Sequence, residues 1–594
     1  APPPAAAMAA TRGATPRAAA TAGGAAAPRA SARARRRGWS CRMAWRKNMA
    51  YSKLLPLFLA AAQALQAPRL PAALAATEAQ LRDAHTPEHN RAMNALFDAC
   101  PDESAPVPAR VTRGAVPPEL RGGAFLRNGP NARPWGSRGG WLDGDGMVHA
   151  VVFGDGDAPS YSRSWLRTEA FVKEEASPKF YGSLVAPYGL KLLQNLGKNF
   201  LNARQPQKDT ANTAMLPLTG GRVLGLMEQC KPCEFQVFAD GRVETTKAGT
   251  DLDGGLGFWS HPLSSGALTA HLHNDPKHPG EAVGVTYAST SQPYARLDVV
   301  DLETGTVKRS HGVELRAPVM VHDCALAGDR VVVFDLPLTV RPERMLRDAF
   351  PVAYEPEHGA RIGLVDSHDG LAEWFDVESG VVLHGVNAHV ADDGRVVVRA
   401  LRSIPSTPTS FIGAYTPAFL YEWVLDPATG RCASERYLSA LSCEFPAADP
   451  RALGEDVHCC FAIAPRTIGG PNDYGPPAEG IMIDRVVKLD LRRDAVAGDA
   501  SAGGGEAFLE AWTLPDGAWL VSEPTLVPKA DGRAGDGVWV LCVGTRTVGD
   551  ERVASELYVL DGERLASGPV CVVDLPAGLP YGLHSAWVDG VCPS

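Results

Sequence analysis

An all-β fold is expected for this chain, on three observations. From about residue 105 to the end, short runs rich in β-branched residues alternate with Gly, Asp and Pro turns. Long stretches of helical periodicity are few. A weak unit also recurs: an apolar strand, then Asp, then a short turn containing Gly, then another strand. It reads Leu297-Asp-Val-Val-Asp301-Leu-Glu-Thr-Gly305, Trp423-Val-Leu-Asp426-Pro-Ala-Thr-Gly430, Leu557-Tyr-Val-Leu-Asp561 running to Gly568, and, more loosely, Leu364-Val-Asp366 to Gly370. Repeated hairpins suggest propeller blades, because each blade is a small meander that buries its faces only against its neighbours. Unrelated hairpins would carry the same signature, since Asp-x-x-Thr-Gly is favourable turn chemistry. The repeat alone leaves both readings open.

The region before this body has a different character. Residues 1–77 hold twelve basic side chains and no acid, which leaves −21 on the remainder from a total of −9. An acidic body repels phosphate backbones, so nucleic acid is not an expected partner. The leader is low-complexity Ala, Arg, Pro and Ser and reads as targeting sequence. Within it, Met49-Ala-Tyr-Ser-Lys53 opens an apolar run, Leu54 to Leu65, that ends in Ala-Leu-Gln-Ala67-Pro68. A basic start, a short apolar run and small residues at its end are signal-peptide grammar, with cleavage expected near Ala67. Followed by a transit stretch, it would form a bipartite plastid address; an ordinary secretory signal is the alternative. The expected organisation is a leader over 1–77, a helical or linker segment over 78–104, and one β-propeller domain over 105–594. The leader's run is too short to span a bilayer, and no other segment is long and apolar enough to cross a membrane.

Twelve cysteines in 594 residues fall well below the density of a disulfide-built fold. Cys230 and Cys233 form a CxxC, but no second ligand pair has zinc spacing, so both are read as thiols in a turn. Asp143-Gly-Asp145-Gly146 lacks the other ligands of a calcium loop and is read as a structural turn. One stretch breaks the β pattern: Leu190, Leu193, Leu196, Phe200 and Leu201 share roughly one helical face, with Lys191, Lys198 and Arg204 nearby. Such a face packs on its own protein or dips into a membrane surface.

Four segments place a histidine in an apolar or strand-like setting: Leu268-Thr-Ala-His271, Val319-Met-Val-His322-Asp323, Val381-Val-Leu-His384 and Pro580-Tyr-Gly-Leu-His584. Spacings of 51, 62 and 200 residues exclude a local metal motif but suit ligands drawn from separate blades that converge on one axis. Taken singly, a histidine of this kind is more often an ordinary core or surface residue than a ligand.

Together these segments resemble the carotenoid cleavage oxygenase family, which includes plant and algal carotenoid dioxygenases, lignostilbene dioxygenases and the vertebrate retinoid isomerohydrolase. The resemblance runs in order through Leu126-Arg-Asn-Gly-Pro130-Asn131, Trp141-Leu-Asp-Gly-Asp-Gly-Met147-Val-His149, Asn212-Thr213 leading to Glu228, the four histidine segments, Cys443-Glu444-Phe-Pro446 and Ser522-Glu523-Pro524. It implies a seven-bladed β-propeller capped by loops and helices, with His271, His322, His384 and His584 as the catalytic ligands of one iron(II) per chain. Four neutral imidazoles would leave two open positions on an octahedral metal, enough for dioxygen as co-substrate beside the substrate. Each ligand's other ring nitrogen needs an acceptor, and the resemblance supplies Glu228, Glu444 and Glu523. His322 is expected to be the histidine without a glutamate.

His149, His261, His273, His278 and His389 are treated as decoys. The sequence departs from the family at His271-Leu-His273-Asn-Asp275, at Ala388-His389 and at Ser585. The implied reaction is cleavage of one conjugated double bond of a carotenoid or apocarotenoid to aldehyde or ketone products, with regioselectivity set by the depth of an apolar tunnel. A lipophilic polyene is then the expected partner, with peripheral membrane contact through the Leu190–Leu201 face. Retinoid-type isomerohydrolysis ranks lower, because Cys230-Lys-Pro-Cys233 stands where that branch carries Pro-Asp-Pro-Cys-Lys. Stilbene cleavage is a further alternative on the same scaffold, and a non-catalytic propeller that binds proteins is the alternative of another class.

Overall fold

The computed structural model describes most of residues 95–593. Residues 1–94, 134–143, 177–207 save 194, 250–266, 406–416, 466–482 and 493–506 lie outside the described residues, with a few isolated positions. The leader, the Leu190–Leu201 face, His261 and Asp143 are therefore outside them. All described residues fall in one compact unit, Ala67–Ser594.

Seven antiparallel sheets follow one another along the chain as the blades of a propeller. The second blade runs, from the axis outward, through Ala214–Pro217, Arg222–Leu226, Cys233–Val237 and Val243–Lys247. The third is His273–Asn274, Glu281–Tyr287, Tyr294–Asp301 and Thr306–Glu314; the fourth is Cys324–Ala327, Arg330–Asp335, Ala360–Asp366 and Ala372–Val377. The fifth is Val381–Val390, Val396–Ser403, Phe419–Asp426 and Arg431–Ser442; the sixth is Glu444–Ala447, Cys459–Ala464, Arg485–Asp490 and Phe508–Thr513.

Both chain ends close the ring. Arg110–Gly114 is the outermost strand of the seventh blade, paired with Pro569–Leu575. Ser585–Val588 is the innermost strand of the first blade, paired with Ala124–Arg127. Outermost strands are the exposed ones, as in Val243–Lys247 and Ala372–Val377.

The recurrent Asp-to-Gly unit marks one place in the blade. In the third, fourth, fifth and seventh blades it is the turn between third and fourth strands. Asp301 Oδ1 accepts the amides of Glu303 at 3.0 Å and Thr304 at 2.8 Å, and Gly305 follows at φ +72°. Glycine adopts that conformation without steric cost, so the hairpin closes there.

Inner strands are apolar on both faces because each face meets a different blade. Val331 and Val333 pack toward the third blade, whereas Val332 and Phe334 pack toward the fifth. One apolar cluster lies between each pair of neighbouring blades. The stabilising apolar area is thus distributed around the ring, and the axis is left for polar side chains. Among the described residues the α-helix with assigned bounds is Glu169–Ala176, and no helix is long and apolar enough to cross a membrane.

Asp209 caps that helix. Its Oδ1 accepts the Ala170 amide at 3.1 Å, while its buried Oδ2 has no hydrogen-bond partner among the described residues. Burial raises the carboxyl to about 7. Unfolded, an aspartate titrates near 3.9, so the folded state carries a penalty that is absent below about pH 4 and complete above about pH 7. Asp209→Asn is expected to raise the urea midpoint at pH 8 and to lose that advantage by pH 4. An equal effect at both pH values would show that the charge is not the cause.

Candidate metal centre

Blade geometry brings the four histidines together because each stands at the same end of an innermost strand. His271 and His322 each lie two residues before the inner strands of the third and fourth blades, His384 is the fourth residue of the fifth blade's inner strand, and His584 immediately precedes that of the first. The three glutamates come from the remaining blades. Glu444 opens the inner strand of the sixth. Glu523 sits in the break between Ala518–Leu520 and Thr525–Pro528 of the seventh, and Glu228 follows Arg222–Leu226 of the second.

The rings of His271 lie 4.2, 5.4 and 4.7 Å from those of His322, His384 and His584, centroid to centroid. His384 is 5.3 Å from both His322 and His584. Nitrogens of His271, His322 and His384 all lie within 4.8 Å of one another, and Nε2 of His271 is 3.0 Å from Nε2 of His584. Behind this cluster, His384 Nδ1 meets Glu444 Oε2 at 2.7 Å and His584 Nδ1 meets Glu523 Oε2 at 2.9 Å. His322 Nδ1 pairs with Glu228 Oε1.

The histidine without a glutamate is therefore His271, whose buried Nδ1 has no partner among the described residues, and not His322. The cause is the position of Glu228, which the second blade delivers past its neighbour to the fourth blade's histidine. Glu228 is fixed there by Tyr287, whose hydroxyl donates to Oε2 at 2.7 Å. Burial, and then the Glu228 carboxylate, hold the Tyr287 phenol well above its ordinary value, so it remains a donor.

Each of the other glutamates is anchored by an amide of a neighbouring residue. Phe445 N donates to Glu444 Oε2 at 2.9 Å, and Ser585 N donates to Glu523 Oε1 at 2.7 Å. Phe445 takes φ +51°, rare for a side chain of its size. This turns its ring onto His384 and His584, at 4.9 and 5.3 Å.

The Arg-Asn-Gly motif acts from behind. Arg127, fully buried, donates through Nε to Val521 O at 2.8 Å and through Nη2 to Pro580 O, tying together the segments that carry Glu523 and His584. Asn128 N donates to His584 O at 2.9 Å. Gly582 leaves room for this guanidinium, since a Cβ there would fall 2.2 Å from Arg127 Nε. Gly144 and Gly146 are close approaches of the same kind, to Asn131 and Ala211.

Sequence reasoning missed Asp323. Its carboxylate accepts from Cys324 N at 2.7 Å and Gly385 N at 2.8 Å, and meets His273 Nε2 at 2.6 Å. One buried side chain thus joins three segments, since Gly385 follows His384, Asp323 follows His322, and His273 lies two residues past His271. His273 was set aside as a decoy; it stays outside the cluster but holds one of its supports. The signal in the sequence was an aspartate directly after a candidate ligand in an apolar strand. Among the other decoys, His149 is buried against the Tyr161 hydroxyl at 2.9 Å.

These residues fit a bound metal ion. His384 Nε2 is buried without a hydrogen-bond partner among the described residues, an arrangement that leaves a polar atom unsatisfied unless something occupies the centre. The 3.0 Å between the Nε2 atoms of His271 and His584 is about the spacing of two ligands at right angles on a metal with bonds of about 2.1 Å. Burial, then the neighbouring imidazoles of His322, His584 and His384, hold His271 well below its ordinary value, which keeps it a neutral donor. Burial also pulls His322 down, but the Glu228 carboxylate outweighs it and leaves the ring raised, so positive charge is favoured at this edge. All eleven described cysteines are free thiols, which suits the imidazole-only donor set.

Comparison with known proteins agrees with the fold. The family model of RPE65, retinal pigment epithelial membrane protein, matches residues 97–589. Carotenoid 9,10(9',10')-cleavage dioxygenase 1 of Pisum sativum is 29% identical over 531 residues, covering 85% of this chain and 91% of that protein. Apocarotenoid-15,15'-oxygenase of Synechocystis is 26% identical over 500 residues, covering 80% and 92%. Among solved structures, cobalt-substituted Synechocystis apocarotenoid oxygenase superposes with a TM-score of 0.65 at 23% identity, over 85% of this chain and 99% of that one.

Removing the Asp323 carboxylate tests the support independently of any metal. Asp323→Ala leaves two buried amides and His273 without their acceptor, at about 1–3 kcal/mol for each buried donor. The metal-free protein is expected to lose at least about 2 kcal/mol of unfolding free energy in urea, again from two donors at that rate. An unchanged midpoint would mean that the three segments hold their places without it.

Proposed function

The chain belongs to the family of RPE65 and the carotenoid cleavage oxygenases, and from that premise we propose that it is an iron(II) dioxygenase cleaving a conjugated carbon-carbon double bond of a carotenoid or apocarotenoid. The observation that carries the reading is the convergence of four imidazoles from four blades with a carboxylate behind three of them. His271, His322, His384 and His584 would hold the iron. Bound there, iron(II) would supply the capacity to bind and activate dioxygen next to the polyene.

The protein's own contribution is orientation. Nδ1 of His384 and His584 hydrogen-bonds a glutamate and Nδ1 of His322 is ion-paired with one, which favours the proton on Nδ1 and leaves Nε2 with its lone pair toward the centre. Tyr287 and the amides of Phe445 and Ser585 keep the glutamates from rotating away. No lysine or arginine pairs with these glutamates among the described residues, so their charge acts on the imidazoles alone. Phe445 presents an aromatic face beside His384 and His584, a surface suited to an apolar chain. A polyene offers no polar handle at the bond to be cut, so selectivity must come from shape. The acid-free leader supports delivery to a plastid, where such substrates reside in membranes.

Purified protein is expected to carry about one iron per chain, measured by elemental analysis, and to convert carotenoids to aldehyde or ketone products identified by mass spectrometry. His322→Ala should lose both together. A folded chain that binds no metal yet is otherwise intact would refute the reading. Glu444→Gln should keep the fold and weaken iron retention by about 10–100-fold, the usual effect of losing a ligand's hydrogen-bond partner. Unaltered retention would remove Glu444 from the support of His384.

A further inference from the structure

A second group of potential metal ligands lies at the opposite strand ends from the four histidines. His278 is in the turn that follows His273–Asn274, Asp329 is in the turn after Cys324–Ala327, and His368 is in the turn after Ala360–Asp366. One donor atom from each lies within 4.8 Å of the others. His278 Nε2 is 3.7 Å from Asp329 Oδ1, and the rings of His278 and His368 are 5.3 Å apart and nearly perpendicular.

The arrangement behind these atoms is what separates it from a chance surface cluster. His278 Nδ1 meets Oδ2 of the buried Asp275 at 2.9 Å, so Nε2 is the nitrogen left to face the other two residues. Asp275 is itself set by the amides of Lys277 and His278, both bonded to its Oδ1. Asp329 Oδ2 accepts from Lys277 Nζ at 2.6 Å, which leaves Oδ1 on the side of His278. The His368 turn is fixed by its own amide, which donates to Asp366 Oδ1 at 2.7 Å. A carboxylate that holds the far nitrogen of a histidine while its near nitrogen faces further donors is the arrangement metal sites use to orient imidazole.

We propose that His278, Asp329 and His368 form a second metal site, for a divalent ion of the zinc type, that links the turns of the third and fourth blades. Two imidazoles and one carboxylate with a water in the fourth position make a tetrahedral set that zinc accepts. Magnesium and calcium, which require mostly oxygen ligands, would not be held. Bond lengths of about 2.0–2.1 Å require the three side chains to close by an ångström or so from their present spacing. His368 is exposed and His278 and Asp329 are half-buried, so this closure meets little packing resistance. The proposal does not depend on the chemistry of the central cluster.

The full-length chain, with its central site loaded with iron, is dialysed against zinc and its metal content measured. One zinc per chain beyond the iron is expected. The double variant His278→Ala/His368→Ala should lose that zinc while retaining the iron. His384→Ala should lose the iron and retain the zinc. Asp275→Asn should keep the zinc stoichiometry but weaken binding about 10–100-fold. Zinc should also raise the melting temperature of the parent chain and leave that of the double variant unmoved. The exposed His368→Ala alone, checked by circular dichroism, guards against misfolding of the double variant. Absence of the additional zinc from the parent, or its retention in a folded His368→Ala chain, would overturn the proposal.

Discussion

Everything at the centre of this molecule depends on one topological constraint: seven innermost strands begin around a single axis. A residue at the start of such a strand points at the same small volume whichever blade it belongs to. Four blades contribute histidine there, and the other three contribute glutamate at the same end of the ring. Separate ownership matters, because a histidine and the carboxylate that orients it are then never on the same blade. The His384–Glu444 and His584–Glu523 pairs join neighbouring blades and His322–Glu228 spans the third, so the cluster draws on every blade of the ring. Closure in turn uses both ends of the chain, with Arg110–Gly114 completing the last blade and Ser585–Val588 the first. His584 is carried in by that final strand and pinned by Asn128 and Arg127, so completing the fold and completing the centre are one event.

Much of this was legible in the sequence, for identifiable reasons. The Asp-to-Gly repeat was a true repeat, since it recurs at one structural position in four blades. It was faint because only the turn has a fixed backbone requirement; the strands on either side need only be apolar and β-branched. The second blade does not show it, and its turn is closed by Asp240-Gly241. The four histidines stood out because a polar residue in an apolar inner strand must have a partner. Their convergence could be argued but not seen, because spacing along the chain carries no information on where blades meet.

What escaped the sequence was pairing across blades. Glu228 reaches His322 because strand Arg222–Leu226 ends on the same side of the ring, an outcome set by blade rotation that no local pattern encodes. Asp323 is invisible for the same reason. It looks like one more strand-capping aspartate until Gly385 N and His273 Nε2 are found against it. Both residues also show why the histidine without a carboxylate is His271. Its segment is held instead two residues further on, through His273, so its ring is placed by the backbone and not by its own second nitrogen.

The distribution of charge favours a cation at the centre. Glu228, Glu444 and Glu523 are half-buried, and among the described residues their ion-pair partners are the three histidines. Two take a further amide and one a phenol, all neutral donors. Three carboxylates one ring away from a common point, screened by nothing but neutral dipoles, make that point favourable for positive charge. In the protein alone the demand shows at His322, where the pull of Glu228 exceeds the cost of burial and raises the ring's affinity for a proton. A proton on one edge satisfies one carboxylate. A divalent ion held by the four imidazoles would satisfy all three through the rings that stand between. The same three glutamates would therefore both orient the ligands and make the charge of a bound metal tolerable, which gives a reason for their lying behind the imidazoles and not among them.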